Sequence, residues 1–172
     1  LEFDASPFCE FGKTADFWQR ILAFCNFENH LLTQVLINEA IINDKIFEVY
    51  GLTEHDKSMV LAKEGESIGG LPVTSDARNA YLAETEATKD FPLDNICEFI
   101  EALPVKEFTT EELEAIESGF GRLYQSNNDR EEFCIRHQVN PINVWYWFKQ
   151  SKIVPKQRTQ TLSMEFLADM VR

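Results

Sequence analysis

Residues 14 to about 50 constrain this chain more than any other stretch. Trp18, Ile21, Leu22, Cys25, Leu32, Val35, Leu36, Ile42, Ile46, Val49 and Tyr50 follow one another at three- and four-residue spacing, which is the period of a helix face. Thr14 is placed to cap the first turn, and Gly51 to stop the helix as a left-handed residue. At ~1.5 Å per residue such a helix extends roughly 55 Å, more than the width of a compact domain. It must either project as a strut or lie against a second long element. Glu28, Asn29, Glu39 and Asn43 interrupt the stripe, which argues against a simple coiled-coil seam.

The rest of the chain also reads as helix. Thr53 to Glu64 is a shorter charged helix. Gly65 to Ser75, with Gly69-Gly70 and Pro72, reads as the main internal loop and the most mobile point. Residues 76 to 89 are weakly helical, and Asp94 to Ala102 forms a short helix closed by Leu103-Pro104. Thr109 and Glu112 have the spacing of a capping box, with Phe108 and Leu113 placed as its hydrophobic staple. Asn128 with Glu131 opens another helix that ends near His137. Asn140-Pro141 is an N-cap followed by proline at the first helical position. Ile142, Val144, Trp145, Tyr146, Trp147 and Phe148 then leave almost no polar face, so this helix is expected at the centre. Leu162, Phe166, Leu167, Met170 and Val171 repeat at helical spacing to the end. No stretch alternates cleanly as a strand does.

The expected fold is therefore all-α: one long N-terminal helix and a compact group of shorter C-terminal helices. We expect a single module over 1–172, with the long and short helices in 1–64, a loop over 65–75 and a C-terminal lobe over 76–172. Apolar residues make up 44% and charged residues 26%, the balance of a globular chain. Fourteen Phe supply core material, while 7 Gly and 6 Pro are few for a turn-rich β fold. No run reaches the ~18 apolar residues of a membrane span, and no signal-peptide pattern opens the chain. Cys9, Cys25, Cys97 and Cys134 are scattered, which suits reduced thiols and a cytoplasmic location. The chain starts without Met and stops inside a helical repeat, so we expect a piece of a longer polypeptide.

Charge divides the chain unevenly. Residues 1–148 carry 11 Lys/Arg against 27 Asp/Glu, whereas residues 149–172 carry 5 against 2. The basic end follows a segment holding two of the three tryptophans. A sign reversal on an acidic body is where a polyanion or an acidic surface docks. Lys149, Lys152, Lys156 and Arg158 are the candidate contacts to a DNA backbone; the alternative reading is a solvated basic loop. The tryptophans are better placed as core than as a stacking platform for bases.

Reactive constellations fail on spacing. Asn140-Pro141 shares the start of the Asn-Pro-Pro-Tyr loop of amino-methyltransferases, but Ile142 and Asn143 break it and helix capping explains the pair. Gly119-Phe-Gly121 follows a helix, not a strand, so a loop between helices is expected rather than a cofactor loop. Asp94, Glu98 and Glu101 read as a solvated helix face. No Asp/Glu-x-Lys triplet is present, as a restriction-type nuclease needs. Cys134 and His137 supply two ligands of the four that structural zinc requires. His30 and His55 have no identifiable nucleophilic partner. No catalytic, cofactor-binding or metal-binding residue is assigned.

Two blocks carry a family resemblance. Asn38 to Leu52, with Asn38-Glu39, Asn43 and Tyr50-Gly51-Leu52, resembles a segment that follows the catalytic domain in large adenine-specific DNA methyltransferases. These include fused restriction-modification enzymes and the phage-growth-limitation type of BREX phage-defence systems. Arg130 to Phe133, Asn140 to Lys149, Ile153 to Thr159 and Glu165 to Asp169 resemble the BREX branch. The resemblance implies a parent enzyme that transfers a methyl group from S-adenosylmethionine to adenine N6. It implies no cofactor in this piece, since the cofactor-binding and Asn-Pro-Pro-Tyr motifs are missing. The expected function is a non-catalytic helical scaffold and docking region. Its implied partners are the rest of its own polypeptide, DNA through the parent, and other defence-system proteins; no membrane is implied. The alternative is an acidic interaction or DNA-mimic module, suggested by the body's net charge of −16.

Overall fold

The computed structural model describes residues 17–88, 94–123, 127–150 and 156–171. Among these are eight α-helices: α1 (Phe17–Val49), α2 (Glu54–Glu64), α3 (Ser75–Thr88), α4 (Asp94–Ala102), α5 (Thr110–Leu123), α6 (Asn127–His137), α7 (Pro141–Lys149) and α8 (Lys156–Val171). A single 3-10 turn, Ile68–Gly70, lies between α2 and α3. The chain is all-α as expected, and no strand occurs among the described residues. Val73 and Val105 form one isolated parallel bridge.

Local signals set the helix ends. Gly51 has φ 61°, and the amides of Gly51 and Leu52 donate to the carbonyls of Glu48 and Phe47 at 3.0 Å each. These are the paired bonds of a Schellman stop. The expected cap at Thr14 lies outside the described residues. Thr53 caps α2 reciprocally with Asp56. The Thr109–Glu112 box forms as its spacing predicts, with both reciprocal bonds present. Phe108, however, turns its ring to Trp147, at 6.1 Å between centroids, and Leu113 is exposed. At the end of α6, Gln138 takes the left-handed position at φ 52°. Its amide bonds Ile135, and that of Val139 bonds Cys134, so a second Schellman stop forms without glycine.

Helix α7 forms the wall between two apolar clusters. Val144, Trp147 and Phe148 pack with Ile21, Phe120, Phe133 and Leu162. On the other side, Ile142 and Trp145 pack with Ile37, Val73, Tyr81 and Ile100. Within α7 only Tyr146 and Lys149 escape burial, which fulfils the expectation of a central helix.

The long helix departs from expectation in which face it buries. Ile21, Cys25, Asn29, Thr33, Leu36, Ile37 and Ala40 point inward. Trp18, Val35, Ile42, Ile46, Val49 and Tyr50, expected on the packed stripe, are exposed. Apolar residues lie on several sides of α1, so periodicity alone does not choose a face. The 3-10 turn does: Gly69 rests on the backbone of Leu36 and beside Ala40.

Two further expectations need correction. Gly119-Phe-Gly121 is not a loop between helices; it lies inside α5. There Phe120 is fully buried and meets Phe133 edge-on at 5.0 Å. The 65–75 segment is a loop, but its packing runs against mobility. A Cβ added to Gly69 would fall 2.3 Å from the Leu36 carbonyl oxygen, so this backbone rests directly on α1. Only glycine allows that approach.

Candidate functional site

The segment from Asn140 to Lys149 holds most of the chain's unusual chemistry, and the structure turns its polar atoms inward. Asn140 is fully buried. Its Oδ1 accepts from the Ile142 amide at 2.9 Å, which is the helix cap. Its Nδ2 donates to the carbonyls of Gly69 at 2.9 Å and Leu71 at 2.8 Å. The Asn140 amide donates to Pro72 at 3.0 Å. One side chain thus caps α7 and ties it to a loop some seventy positions upstream. Asn143, one turn on, accepts at Oδ1 from the Thr74 amide at 2.9 Å. The loop continues into the Val73–Val105 bridge, where the Val73 amide donates to Pro104 at 2.9 Å and the Lys106 amide donates to Val73 at 3.0 Å.

Arg130 forms the second internal tie. It is 1% exposed, rare for arginine. Nη1 donates to the Asn29 carbonyl at 3.2 Å; Nη2 donates to Thr33 Oγ1 at 2.5 Å and to the Pro141 carbonyl at 3.3 Å. The planar guanidinium therefore joins α1, α6 and the first residue of α7, a geometry the single ammonium of lysine does not reproduce.

His30 stacks on Tyr81 at 5.2 Å and meets the edge of Trp145 at 6.2 Å. Burial lowers its pKa; Glu84 opposes and Lys149 reinforces that shift. The imidazole is accordingly neutral near pH 7. Its buried Nδ1 has no hydrogen-bond partner, nor have the side-chain amide atoms of neighbouring Asn29. Tyr81 donates to Gln34 Oε1 at 3.1 Å, and burial pushes its phenol pKa up. Cys134 is fully buried, with its thiol pushed up to about 12 by desolvation. His137 packs on Phe133 and is held neutral by burial and by Arg136. The pair is thus a buried cysteine beside a half-buried histidine. Glu98 and Glu101 are exposed, as a solvated face requires; the Asp94 side chain lies outside the described residues.

The basic candidates divide. Lys149 Nζ is 2.6 Å from Glu84 and 5.0 Å from the Trp145 ring centre, so its charge is engaged within the protein. Lys156 is exposed at the start of α8. Lys152 and the side chain of Arg158 lie outside the described residues. An open cleft of about 560 Å³ adjoins Lys156, lined also by Trp18, Thr159, Gln160, Ser163 and Met164. Trp145 and Trp147 are core residues, at 2% and 5% exposure, whereas Trp18 is 49% exposed. Of the three tryptophans, the solvent-facing one beside the basic end is therefore Trp18. Sequence spacing did not point to it, because it lies well over a hundred positions from Lys156.

Among the described residues no three His, Cys, Asp or Glu side chains cluster as metal ligands. No described helix is long and apolar enough to cross a membrane. Comparison with protein-family models, with curated proteins and with solved structures returns no match to this chain.

Proposed function

We propose that the chain is a non-catalytic helical scaffold and docking region of an adenine-specific DNA methyltransferase, of the kind used in phage defence or restriction-modification. The methyltransferase assignment rests on the residue resemblance. The scaffold role is supported by one observation above all: the polar side chains of the resembling segment bond the protein's own backbone. Arg130, Asn140 and Asn143 hold α1, α7 and the 69–74 loop to each other. The second resembling block, Asn38 to Leu52, carries the end of α1 and its Gly51 stop. Residues so committed position other elements. Methyl transfer, with S-adenosylmethionine as donor, belongs to the rest of the parent polypeptide.

Contact with a DNA backbone falls to Lys152, Lys156 and Arg158, with Trp18 beside Lys156. Lys149 contributes less, because Glu84 already neutralises it. Converting Lys152, Lys156 and Arg158 together to glutamine in the whole methyltransferase is expected to weaken DNA binding. The slope of log K against log salt should fall by about 2 to 3, since each neutralised phosphate contributes ~0.9. Titrations at several salt concentrations measure it. An unchanged slope removes the backbone contact. A whole protein that neither binds S-adenosylmethionine nor methylates adenine N6 removes the parent assignment.

A further inference from the structure

The outer face of α1 carries Leu31, Val35, Ile42, Ile46 and Val49, between 44% and 81% exposed. At ~100° per residue these fall in a sector roughly 60° wide, and they run about 27 Å along the axis. No core cluster contains any of them. Helix α2, which follows, buries no residue and leaves Met59 61% and Val60 37% exposed. A helix of this length is marginal in water without a packed face. An apolar stripe on this scale marks an interaction surface.

We infer that this stripe docks an amphipathic helix of a partner protein whose apolar seam is flanked by Lys and Arg. Charge selects that occupant. Residues 31–64 carry six Asp/Glu and three Lys, and each of those lysines is already paired, Lys45 with Glu48, Lys57 with Glu54 and Lys63 with Glu64. The surface therefore offers surplus carboxylate and no unpaired lysine. Glu39 borders the stripe beside Val35 and Ile46 and is exposed. A second copy of the chain would bring −13 against −13, and an acidic helix would meet like charge. A basic flank gains at the Glu39 edge, the opposite edge carries the Lys45–Glu48 pair, and the seam buries the apolar residues, the helix-against-helix mode of recognition. The surface is independent of the methyltransferase reading and of the basic end.

Fluorescence anisotropy with two synthetic helices roughly three heptads long tests this directly. Both carry the same leucine seam, one flanked by Lys and the other by Glu. At physiological salt the Lys-flanked helix is expected to bind at least about tenfold more tightly. The double variant Val35→Ser with Ile42→Ser should lose about tenfold of that affinity with an unchanged helical circular-dichroism spectrum, since both residues are exposed. The variant Met170→Ser with Val171→Ser, on exposed positions of α8, should bind as the parent chain does. Equal binding of the two helices, no binding of either, or unaltered binding by the α1 variant overturns the inference. Sedimentation showing a dimer that the α1 variant abolishes overturns it in favour of a second copy.

Discussion

Replacing Gly69 with alanine is expected to lower stability by about 3 kcal/mol or more, whereas the same change at Gly70 leaves it within about 0.5 kcal/mol. The two glycines are neighbours in one turn and differ only in what surrounds them. A Cβ at Gly69 would lie 2.3 Å from the Leu36 carbonyl oxygen, 2.9 Å from the Leu36 carbonyl carbon and 3.0 Å from the Ala40 Cβ. Two of these atoms are helix backbone, which cannot rotate aside as a side chain does. The turn cannot back away either, because the Gly69 carbonyl accepts from Asn140. At Gly70 nothing lies within 4 Å of an added Cβ. Thermal melts of the pair should differ by roughly 6–12 °C, from ~2–4 °C per kcal/mol for a chain of this size. Coincident melting points would mean that the turn does not rest on α1.

Asn140 carries the second large effect, and its sign separates two roles. Were it only a helix cap, aspartate would replace it at little cost, since the two cap almost equally well. The structure predicts otherwise. Asn140→Ala removes the cap and strips the donor from two buried carbonyls, costing about 3–5 kcal/mol at ~1–3 for each unsatisfied group. Asn140→Asp keeps the cap but points a carboxylate at the carbonyls of Gly69 and Leu71, 2.9 and 2.8 Å from Nδ2. A buried charge facing two acceptors is worse than a cavity, so aspartate should be the less stable variant at pH 7. Its deficit should narrow on acidification, because a protonated carboxyl donates to one carbonyl. Denaturant unfolding at pH 7 and near pH 4.5 measures both. Aspartate matching asparagine at pH 7 would reduce the residue to a cap.

What the sequence revealed and what it hid divide by range. Stops and caps were legible because their partners lie within a few residues: Gly51 with Glu48 and Phe47, Thr109 with Glu112, Asn140 with Ile142. The burial of α7 was legible because its residues leave hardly any polar side. The packed face of α1 was not, because Val35 and Ile42 look as core-like as Leu36 and Ile37. Only the approach of Gly69 to Leu36, more than thirty residues apart, decides between them. Asn29, read as an interruption, is buried, and Arg130 bonds its carbonyl across 101 positions. Asn143, read as breaking a methyltransferase motif, accepts from Thr74 across 69. The basic residues were visible as charge, but Glu84 as the partner of Lys149 and Trp18 as the neighbour of Lys156 arise only in the fold.

The scaffold account requires that the 69–74 loop, α7 and the middle of α1 open together or not at all. Amide hydrogen exchange under native conditions measures this residue by residue. The amides of Val73, Thr74 and Asn140, bonded to Pro104, Asn143 and Pro72, should exchange as slowly as those inside α7. Amides of α2, which buries nothing, should exchange far faster. Val73 and Thr74 exchanging at the rate of α2 while α7 stays protected would contradict the account.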